Sequence, residues 1–225
     1  MASSPTSQDE MQPLKKVFIV DDHPVFRDGL VRIVSQIPGL VVCGEADNAS
    51  QAFTQISQLS PHLVLMDIGL PGKGGLELLQ DVHAILPELP VLVISMHDEN
   101  IYAERVLRAG GRGYIMKQEG PEKMTEAIAK VLDGHVYVSD QISVTLLDAL
   151  SRPKASASIL GKLTDRELEV LRLTGQGKDN RDIAAELHIS LKTVDTHRAH
   201  LREKLGLKNS TELIHYAVRW VGDQV

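Results

Sequence analysis

Cysteine and aromatic side chains are scarce in this sequence of 225 residues, which contains one Cys, one Trp and 4% aromatic residues in all. The single thiol, Cys43, excludes an internal disulfide framework and fits a reducing compartment, so we expect a cytoplasmic location. Because Cys43 lies in the apolar run LVVCGEA, it is expected to pack as a small buried hydrophobic side chain rather than to act as a reactive thiol.

Long apolar runs are missing as well. No stretch approaches the roughly 18 consecutive apolar residues that predict a transmembrane helix, so no membrane association is expected. The first residues, MASSPTSQDEMQ, have no apolar core of the kind found in a secretory signal. We interpret residues 1–14 as a flexible tail.

Acidic and basic residues are unevenly distributed along the chain. Residues 1–150 hold 11 Lys and Arg against 20 Asp and Glu, a net charge of −9. Residues 151–225 hold 13 against 10, a net charge of +3. An acidic front joined to a mildly basic tail indicates two domains with different partners, although the charge alone does not establish nucleic-acid binding.

The first half of the sequence alternates short apolar runs with amphipathic stretches. The runs are nearly continuously apolar, as in strands buried on both faces, and they cover residues 16–20, 40–46, 62–68, 91–96 and 113–117. Amphipathic stretches such as VFRDGLVRIVSQI provide the crossover helices. We therefore predict an α/β fold with a five-stranded, doubly wound parallel sheet, whose ligand site lies at the carboxyl ends of the strands.

The second half of the sequence has a different composition. A short predicted helix, VTLLDAL, precedes the small, polar, Pro-containing stretch SRPKASASILGK (151–162), which is typical of a linker. The remaining residues predict four helices at about 165–175, 180–187, 191–205 and 210–221. We divide the chain into the tail, a domain at 15–134, a linker with a helix at 135–160 and a smaller all-α domain at 161–225.

Polar side chains stand where the predicted strands end. Asp21 and Asp22 follow the first strand, and Asp67 lies at the end of the third. Ser95 and Lys117 end the fourth and fifth. Because the carboxyl ends of parallel strands meet at one edge of the sheet, we expect these groups to converge. Carboxylates that crowd together suit Mg²⁺, and a carboxylate nucleophile beside a hydroxyl and an ammonium suits phosphoryl acceptance.

At this spacing the residues from about Lys16 to Gly134 resemble the receiver domain of two-component response regulators, which implies a flavodoxin-like strand order. The resemblance implies that Asp67 is phosphorylated by a sensor histidine kinase or a small phosphodonor. It also implies that Asp22, Asp67 and the Gly69 carbonyl bind Mg²⁺, with Asp21 acting mainly through water. Ser95 and Tyr114 would form the switch pair, and Lys117 would neutralise phosphoryl charge. Gly69 leaves the acyl phosphate unshielded, and His97 is the other candidate for shielding it.

The C-terminal segment carries helix start and stop signals. Thr164 and Glu167 form a predicted capping box, Gly175 and Gly177 end the first helix, and Asn180 and Ser190 are candidate caps for the next two. Two helices joined by a tight turn, the second rich in basic residues, predict a helix-turn-helix. An ordinary helical bundle with a solvated charged face is the alternative.

The motif order LTxRExEVL…G…N…IA…L…S…KTVxTH…LxxKL, over about residues 160–222, resembles LuxR-type DNA-binding domains. Together with the receiver, it makes the chain similar to response regulators of the NarL/FixJ family, and it implies binding to double-stranded promoter DNA. Lys192 and Thr193 would contact phosphate. The residues expected at or beside the base edges are Asp195, Thr196, His197 and Ala199.

Two features of this resemblance need separate mention. Asp195 replaces a lysine often seen in the family, and a carboxylate can accept from a cytosine amino group but not bond phosphate favourably. The last helix, with Leu213, Tyr216 and Trp220, would pair two domains as a homodimer on inverted or direct half-sites. Packing onto its own domain is the alternative for that helix.

Activation is expected to join the two halves. Phosphorylation adds up to about two negative charges, and Ser95 would move to bond the phosphoryl group while Tyr114 rotates inward. The opposite net charges favour docking of the tail on the receiver, so we expect the recognition helix to be partly covered before phosphorylation and freed afterwards.

Two other classes compete with this interpretation. A haloacid-type phosphatase would need an acid two residues after its nucleophile, and Gly69 occupies that position, so the protein is not expected to be an enzyme. A small-ligand-sensing LuxR-type activator would not need acidic residues at these strand ends. Stoichiometric phosphorylation without turnover would separate the three classes.

Overall fold

A computed structural model describes residues 13–71, 74–151 and 162–222. Five parallel strands form one sheet, and each begins and ends within two residues of its predicted bounds. They are β1 Lys15–Val20, β2 Leu40–Ala46, β3 Leu63–Met66, β4 Val91–Ser95 and β5 Gly113–Met116. The strand order is β2-β1-β3-β4-β5. The predicted doubly wound α/β fold is confirmed.

Six helices accompany the sheet, and four follow after the linker. The first group is α1 Pro24–Gln36, α2 Ala49–Leu59, α3 Gly75–Ile85, α4 Glu99–Arg108, α5 Pro121–Leu132 and α6 Asp140–Ser151. The second group, as predicted, is α7 Asp165–Gly175, α8 Asn180–Glu186, α9 Leu191–Leu205 and α10 Ser210–Gly222. Among the described residues, none of these helices combines the length and the apolar character that a bilayer crossing requires.

Burial of the central strands on both faces explains their continuous apolar sequences. Alternate residues of a strand point to opposite sides of a sheet, so Phe18 and Val64 join the core under α2, α3 and α4. Ile19 and Leu65 join the core under α1 and α5. Cys43 lies on the outer strand β2 and is half-buried against the first of these cores, less enclosed than its apolar run suggests.

Part of the predicted linker packs on the receiver domain. Tyr137 bridges to Gly113 beside β5, and its carbonyl accepts a hydrogen bond from the Tyr114 amide at 2.8 Å. Ile142 of α6 is buried, and α6 packs against α4. The predicted tail up to residue 12 and most of the predicted linker, residues 152–161, lie outside the described residues.

The C-terminal helices enclose a core of their own. Leu168, Leu171, Ile183, Val194, Leu201 and Leu213 are fully buried. The capping box of Thr164 and Glu167 is present, and the Ser190 side chain accepts from the Thr193 amide. The prediction that Asn180 caps α8 is wrong: Asp179 is the cap, accepting from the amides of Arg181 and Asp182, and Asn180 is the first residue of the helix.

Candidate functional site

Two carboxylates and one ammonium meet at the carboxyl ends of β1, β3 and β5. Lys117 Nζ lies 2.6 Å from Asp21 Oδ2 and 2.6 Å from Asp67 Oδ2. All three side chains are at least 96% buried, at 1% to 4% exposure. β1 and β3 are hydrogen-bonded neighbours, so the fold brings Asp21 and Asp67 together as the strand order requires.

Lys117 compensates the two buried carboxylates. Burial favours the neutral form of an acid, and it raises the pKa of Asp21 above its ordinary value, although the hydrogen bond and charge of Lys117 oppose the shift. The Lys117 ammonium also lies 4.6 Å from the centre of the Phe26 ring, whose face attracts a cation. The lysine is therefore held in a single position over Asp67.

Four side chains at this edge can offer metal ligands. The donor atoms of Asp21, Asp22, His23 and Asp67 all lie within 4.8 Å of one another. Asp22 Oδ1 is buried and has no hydrogen-bond partner among the described residues. His23 Nδ1 lies 2.7 Å from it, in a contact that lacks hydrogen-bond geometry. An unsatisfied buried oxygen in an oxygen-rich cluster fits a hard cation such as Mg²⁺.

The backbone beside Asp67 allows close approach. The Gly69 amide donates to Asp67 Oδ1 at 2.9 Å, which orients the carboxylate. At the start of α3, a Cβ on Gly75 would lie 2.2 Å from the Asp67 carbonyl oxygen, so only glycine lets the helix begin this close to the site.

Ser95 and Tyr114 lie next to each other on neighbouring strands. Ser95 Oγ accepts from the His97 amide at 3.2 Å, and the Tyr114 hydroxyl donates to the His97 carbonyl at 2.7 Å. Tyr114 is 1% exposed, and burial raises the pKa of its hydroxyl above the ordinary value. The prediction that Tyr114 starts outside and rotates inward does not describe this structure, because the side chain is already inside.

His97 lies beside Gly69 at the edge of the sheet where Asp67 stands. Its Nε2 is 3.6 Å from the position that a Cβ on Gly69 would take, and its ring is tilted by 31° against Tyr102 at 4.9 Å. Burial lowers the pKa of His97 to about 4, with the nearby Arg172 charge adding to the shift, so the imidazole is neutral at physiological pH. The residue is not a solvated loop histidine.

The two domains touch through α4 and the start of α7. Arg105 donates to the Leu163 carbonyl at 2.9 Å and to Asp165 Oδ1 at 2.8 Å. Tyr102, one turn earlier on α4, is buried. The expectation that docking covers the recognition helix is not met: the outward side chains of α9 are exposed, namely Lys192, Asp195, Thr196 and Ala199. The net charges of −9 on residues 1–150 and +3 on residues 151–225 did not predict which surfaces of the two domains meet.

The predicted DNA-contacting residues lie along the first two turns of α9. Thr193 is half-buried, and its hydroxyl is 2.7 Å from Ser190 Oγ. The Thr196 hydroxyl donates to the Lys192 carbonyl at 2.9 Å. Burial lowers the pKa of His197, which is only half-buried. The sequence singled out Asn180 only as a helix cap, whereas in the structure its side-chain amide contacts both Asp195 and Arg198.

The last helix presents a different face from the one predicted for pairing. Leu213 is 0% exposed inside its own domain, and Tyr216 and Trp220 are half-buried against the same core. Ile214 and Val218, four residues apart, are 44% and 50% exposed. Residues at this spacing share one side of a helix, so the outward apolar stripe lies beside the predicted one.

Two family models match separate parts of the chain. The response regulator receiver domain matches residues 17–129. The luxR family of bacterial regulatory proteins matches residues 161–217. The first match covers the sheet and its strand-end cluster, and the second covers α7 to α9 and the beginning of α10.

Curated relatives and solved structures combine both domains. The response regulator GacA of Pseudomonas aeruginosa is 35% identical over 204 residues, covering 91% of this chain and 95% of the relative. The oxygen regulatory protein NreC of Staphylococcus haemolyticus is 33% identical over 210 residues, covering 91% and 97%. The RcsB response regulator of Salmonella typhimurium superimposes with a TM-score of 0.65 at 26% identity, covering 92% and 98%.

A second structure shows RcsB of Salmonella enterica serovar Typhimurium bound to the promoter rprA in the presence of the phosphomimetic BeF₃⁻. It has a TM-score of 0.61 at 26% identity and covers 91% of this chain and 98% of that one. With a receiver domain followed by a LuxR-type domain over nearly its whole length, the chain belongs to the NarL/FixJ family of response regulators and is a phosphorylation-regulated, DNA-binding transcription regulator rather than an enzyme.

Proposed function

We propose that Asp67 is the residue that accepts the phosphoryl group, from a sensor histidine kinase or a small phosphodonor. The observation that carries the proposal is the placement of Lys117 Nζ at 2.6 Å from an Asp67 oxygen, in a pocket that also holds Asp21. As the Asp67 carboxylate attacks phosphorus and the donor bond breaks, the Lys117 ammonium neutralises charge on the phosphoryl oxygens.

Mg²⁺ is the proposed cofactor. Asp22, Asp67 and the Gly69 carbonyl would hold the ion, with Asp21 acting through water, and the convergence of the three carboxylates within 4.8 Å supports this assignment. Bound there, the ion supplies charge neutralisation for the transferring phosphoryl group. The chain's own residues do the rest: the Gly69 amide orients Asp67, and Lys117 holds the anionic oxygens.

Ser95 and Tyr114 are proposed to couple phosphorylation to α4. Ser95 Oγ is bonded to the His97 amide, and Tyr114 is bonded to the His97 carbonyl. When Ser95 turns its hydroxyl toward a phosphoryl oxygen, its hydrogen bond with the His97 amide is lost. The segment from Ser95 to His97 must then adjust, and with it the hydrogen bond between the His97 carbonyl and Tyr114. That segment leads directly into α4, whose Arg105 holds α7.

DNA binding is proposed for the exposed side of α9. Lys192 and Thr193 would contact phosphates, as helix starts do in the major groove. Asp195, Thr196, His197 and Ala199 would lie at or beside base edges. We propose that two copies pair on adjacent half-sites through α10. Leu213 is buried inside its own domain, so the contact would use Ile214 and Val218 with the exposed edges of Tyr216 and Trp220.

The proposed domain boundaries are 15–134 for the receiver, 135–160 for the connection and 161–225 for the DNA-binding domain. The packing of α6 on α4 supports a rigid first part of that connection. A cytoplasmic location is proposed, since both the kinase contact and the promoter contact require it.

Replacement of Asp67 by Asn tests the function. The variant is expected to lose acid-labile, hydroxylamine-sensitive phosphorylation by a small phosphodonor with Mg²⁺, measured as the phosphorylated fraction by intact mass, because an amide is not a nucleophile of this kind. Asp47→Asn, on an exposed residue outside the cluster, is the matched control and should label normally. Normal labelling of Asp67→Asn would place the acceptor elsewhere.

A further inference from the structure

Asn180 connects two helices at the proposed DNA-reading face. It is the first residue of α8, and its amide nitrogen donates to Asp195 Oδ1 of α9 at 2.7 Å. Its amide oxygen accepts from Arg198 Nη1 at 2.8 Å. One side-chain amide therefore satisfies an acid and a base at the same time.

The arrangement is unusual for two opposite charges three residues apart on a helix. Such side chains are neighbours on the helix surface and can form a direct ion pair. Here Asp195 and Arg198 form none within the described ranges, and Asn180 lies between them. Only a side chain with a donor and an acceptor at this reach can bond both groups at once.

Arg198 is also set apart by its surroundings. It is half-buried between α8 and α9, and burial lowers the pKa of its guanidinium, while the charge of Asp195 acts in the opposite direction. If the two side chains met directly, each would neutralise the other and turn away from a ligand. Because Asn180 bonds both side chains, Asp195 and Arg198 each use one atom for the Asn180 amide and keep their other polar atoms for a ligand.

We propose that Asn180 is a specificity-determining residue, which presents Asp195 and Arg198 as one unit to a C·G base pair in the major groove. The free Asp195 oxygen accepts from the cytosine amino group, and the remaining Arg198 N–H groups donate to guanine acceptors. This inference rests on the proposed DNA-binding role of α9. It accounts for a carboxylate at a position where phosphate contact would be unfavourable.

A simple tie between α8 and α9 would predict a different outcome. A hydrogen bond that only holds the two helices together contributes to domain stability, and its removal would weaken binding to all DNA sequences alike. A presenting residue changes the preference at one base pair and leaves non-specific binding, which depends on phosphate contacts, nearly intact. The ratio of the two affinities separates these roles.

The experiment uses the full chain and a pool of random duplex DNA, followed by dissociation constants at one salt concentration. Wild type, Asn180→Ala, Asp195→Ala and the double variant are compared on the selected site and on the same site with its C·G pair changed to T·A. Asn209→Ala, whose side chain caps the Glu212 amide at the start of α10, is the matched control. It removes a surface asparagine that stabilises the domain away from α9.

Asn180→Ala is expected to reduce discrimination between the two duplexes about tenfold while changing affinity for unrelated DNA less than about twofold. Asn180→Ala should cost less discrimination in the Asp195→Ala background than in wild type, because one of the two side chains that Asn180 presents is already missing. Asn209→Ala should keep the wild-type preference even if it melts at a lower temperature.

Two results would overturn the inference in distinguishable ways. If wild type discriminates and Asn180→Ala discriminates equally while binding all DNA more weakly, Asn180 is only a tie between helices. If wild type binds all DNA without any preference, the proposed reading role of α9 fails, and the inference fails with it.

Discussion

The proposed phosphoacceptor pocket and the proposed DNA-reading face differ in how far their charged side chains are buried. In the pocket, Asp21, Asp67 and Lys117 are almost fully buried and meet at 2.6 Å. On α9, Lys192 and Asp195 are exposed to water. The sheet fixes the partners of the charged groups in the pocket, whereas the charged groups on α9 remain available for a ligand.

This contrast determines how each region responds to change. Buried charges interact strongly, and removal of one leaves the others without compensation. Exposed charges are screened by water and salt, so removal of one leaves its neighbours nearly unaffected. We therefore expect large, coupled effects on stability in the pocket and small effects on stability when a single exposed charge of α9 is removed.

The largest effect is expected for Lys117→Ala. The change leaves Asp21 and Asp67 buried without their cation, which should lower the free energy of unfolding by about 3 kcal/mol in metal-free buffer. Saturating Mg²⁺ should recover part of the loss, since the ion replaces the missing charge. Denaturant titration of the full chain, with and without Mg²⁺, measures both quantities.

Lys123→Ala provides the matched control for this variant. Lys123 is a surface lysine of α5 that pairs at 2.8 Å with Glu119, which lies just before the helix begins. Its removal should leave the denaturation midpoint unchanged within error. Equal destabilisation by the two variants would contradict the view that burial makes the pocket charges interdependent.

The same contrast explains which residues could be predicted from the sequence. Asp21, Asp67, Ser95 and Lys117 lie at the carboxyl ends of strands, and parallel strands end at one edge, so their convergence follows from the order of elements. The structure adds His23, which contacts Asp22. In the sequence, the position of His23 directly after Asp21 and Asp22 was the only indication that it belongs to this cluster.

Side-chain orientation was harder to predict than position. The inward placement of Tyr114 depends on the His97 carbonyl, which belongs to a loop whose path the sequence does not specify. Leu213 and Ile214 are adjacent and both apolar, so the pattern of α10 allowed two outward faces. Asp179 and Asn180 are both good caps, and only the start of the helix decided between them.

A moderate effect is expected for Lys192→Ala on the DNA-reading face. Removal of one phosphate contact should weaken binding to all sequences about equally and reduce the slope of log affinity against log salt by about one. Lys208→Ala, on an exposed residue just before α10, is the control and should leave the slope unchanged. A change in base preference with an unchanged slope would exclude a phosphate role for Lys192.

The smallest effect is expected where the two regions communicate. Arg105 and Asp165 form an ion pair between α4 and α7, with side chains 17% and 34% exposed. A double-mutant cycle of Arg105→Ala and Asp165→Ala should give a coupling energy of about 0.5–1 kcal/mol, because the pair is only partly shielded from water. The cycle can be read from the docked fraction, measured by energy transfer between dyes on the receiver and α10.

Arg108→Ala is the matched control for that cycle, since Arg108 lies one turn away on α4 and pairs with Glu104 at the surface. It should leave the docked fraction unchanged. Because the outward side of α9 is exposed in the docked structure, Arg105→Ala should loosen the domains without increasing the affinity of a single domain for a half-site. An increase in that affinity would show that docking inhibits DNA binding. In that case the charge asymmetry of the chain would have predicted the inhibition correctly, although it did not identify the contact between Arg105 and Asp165.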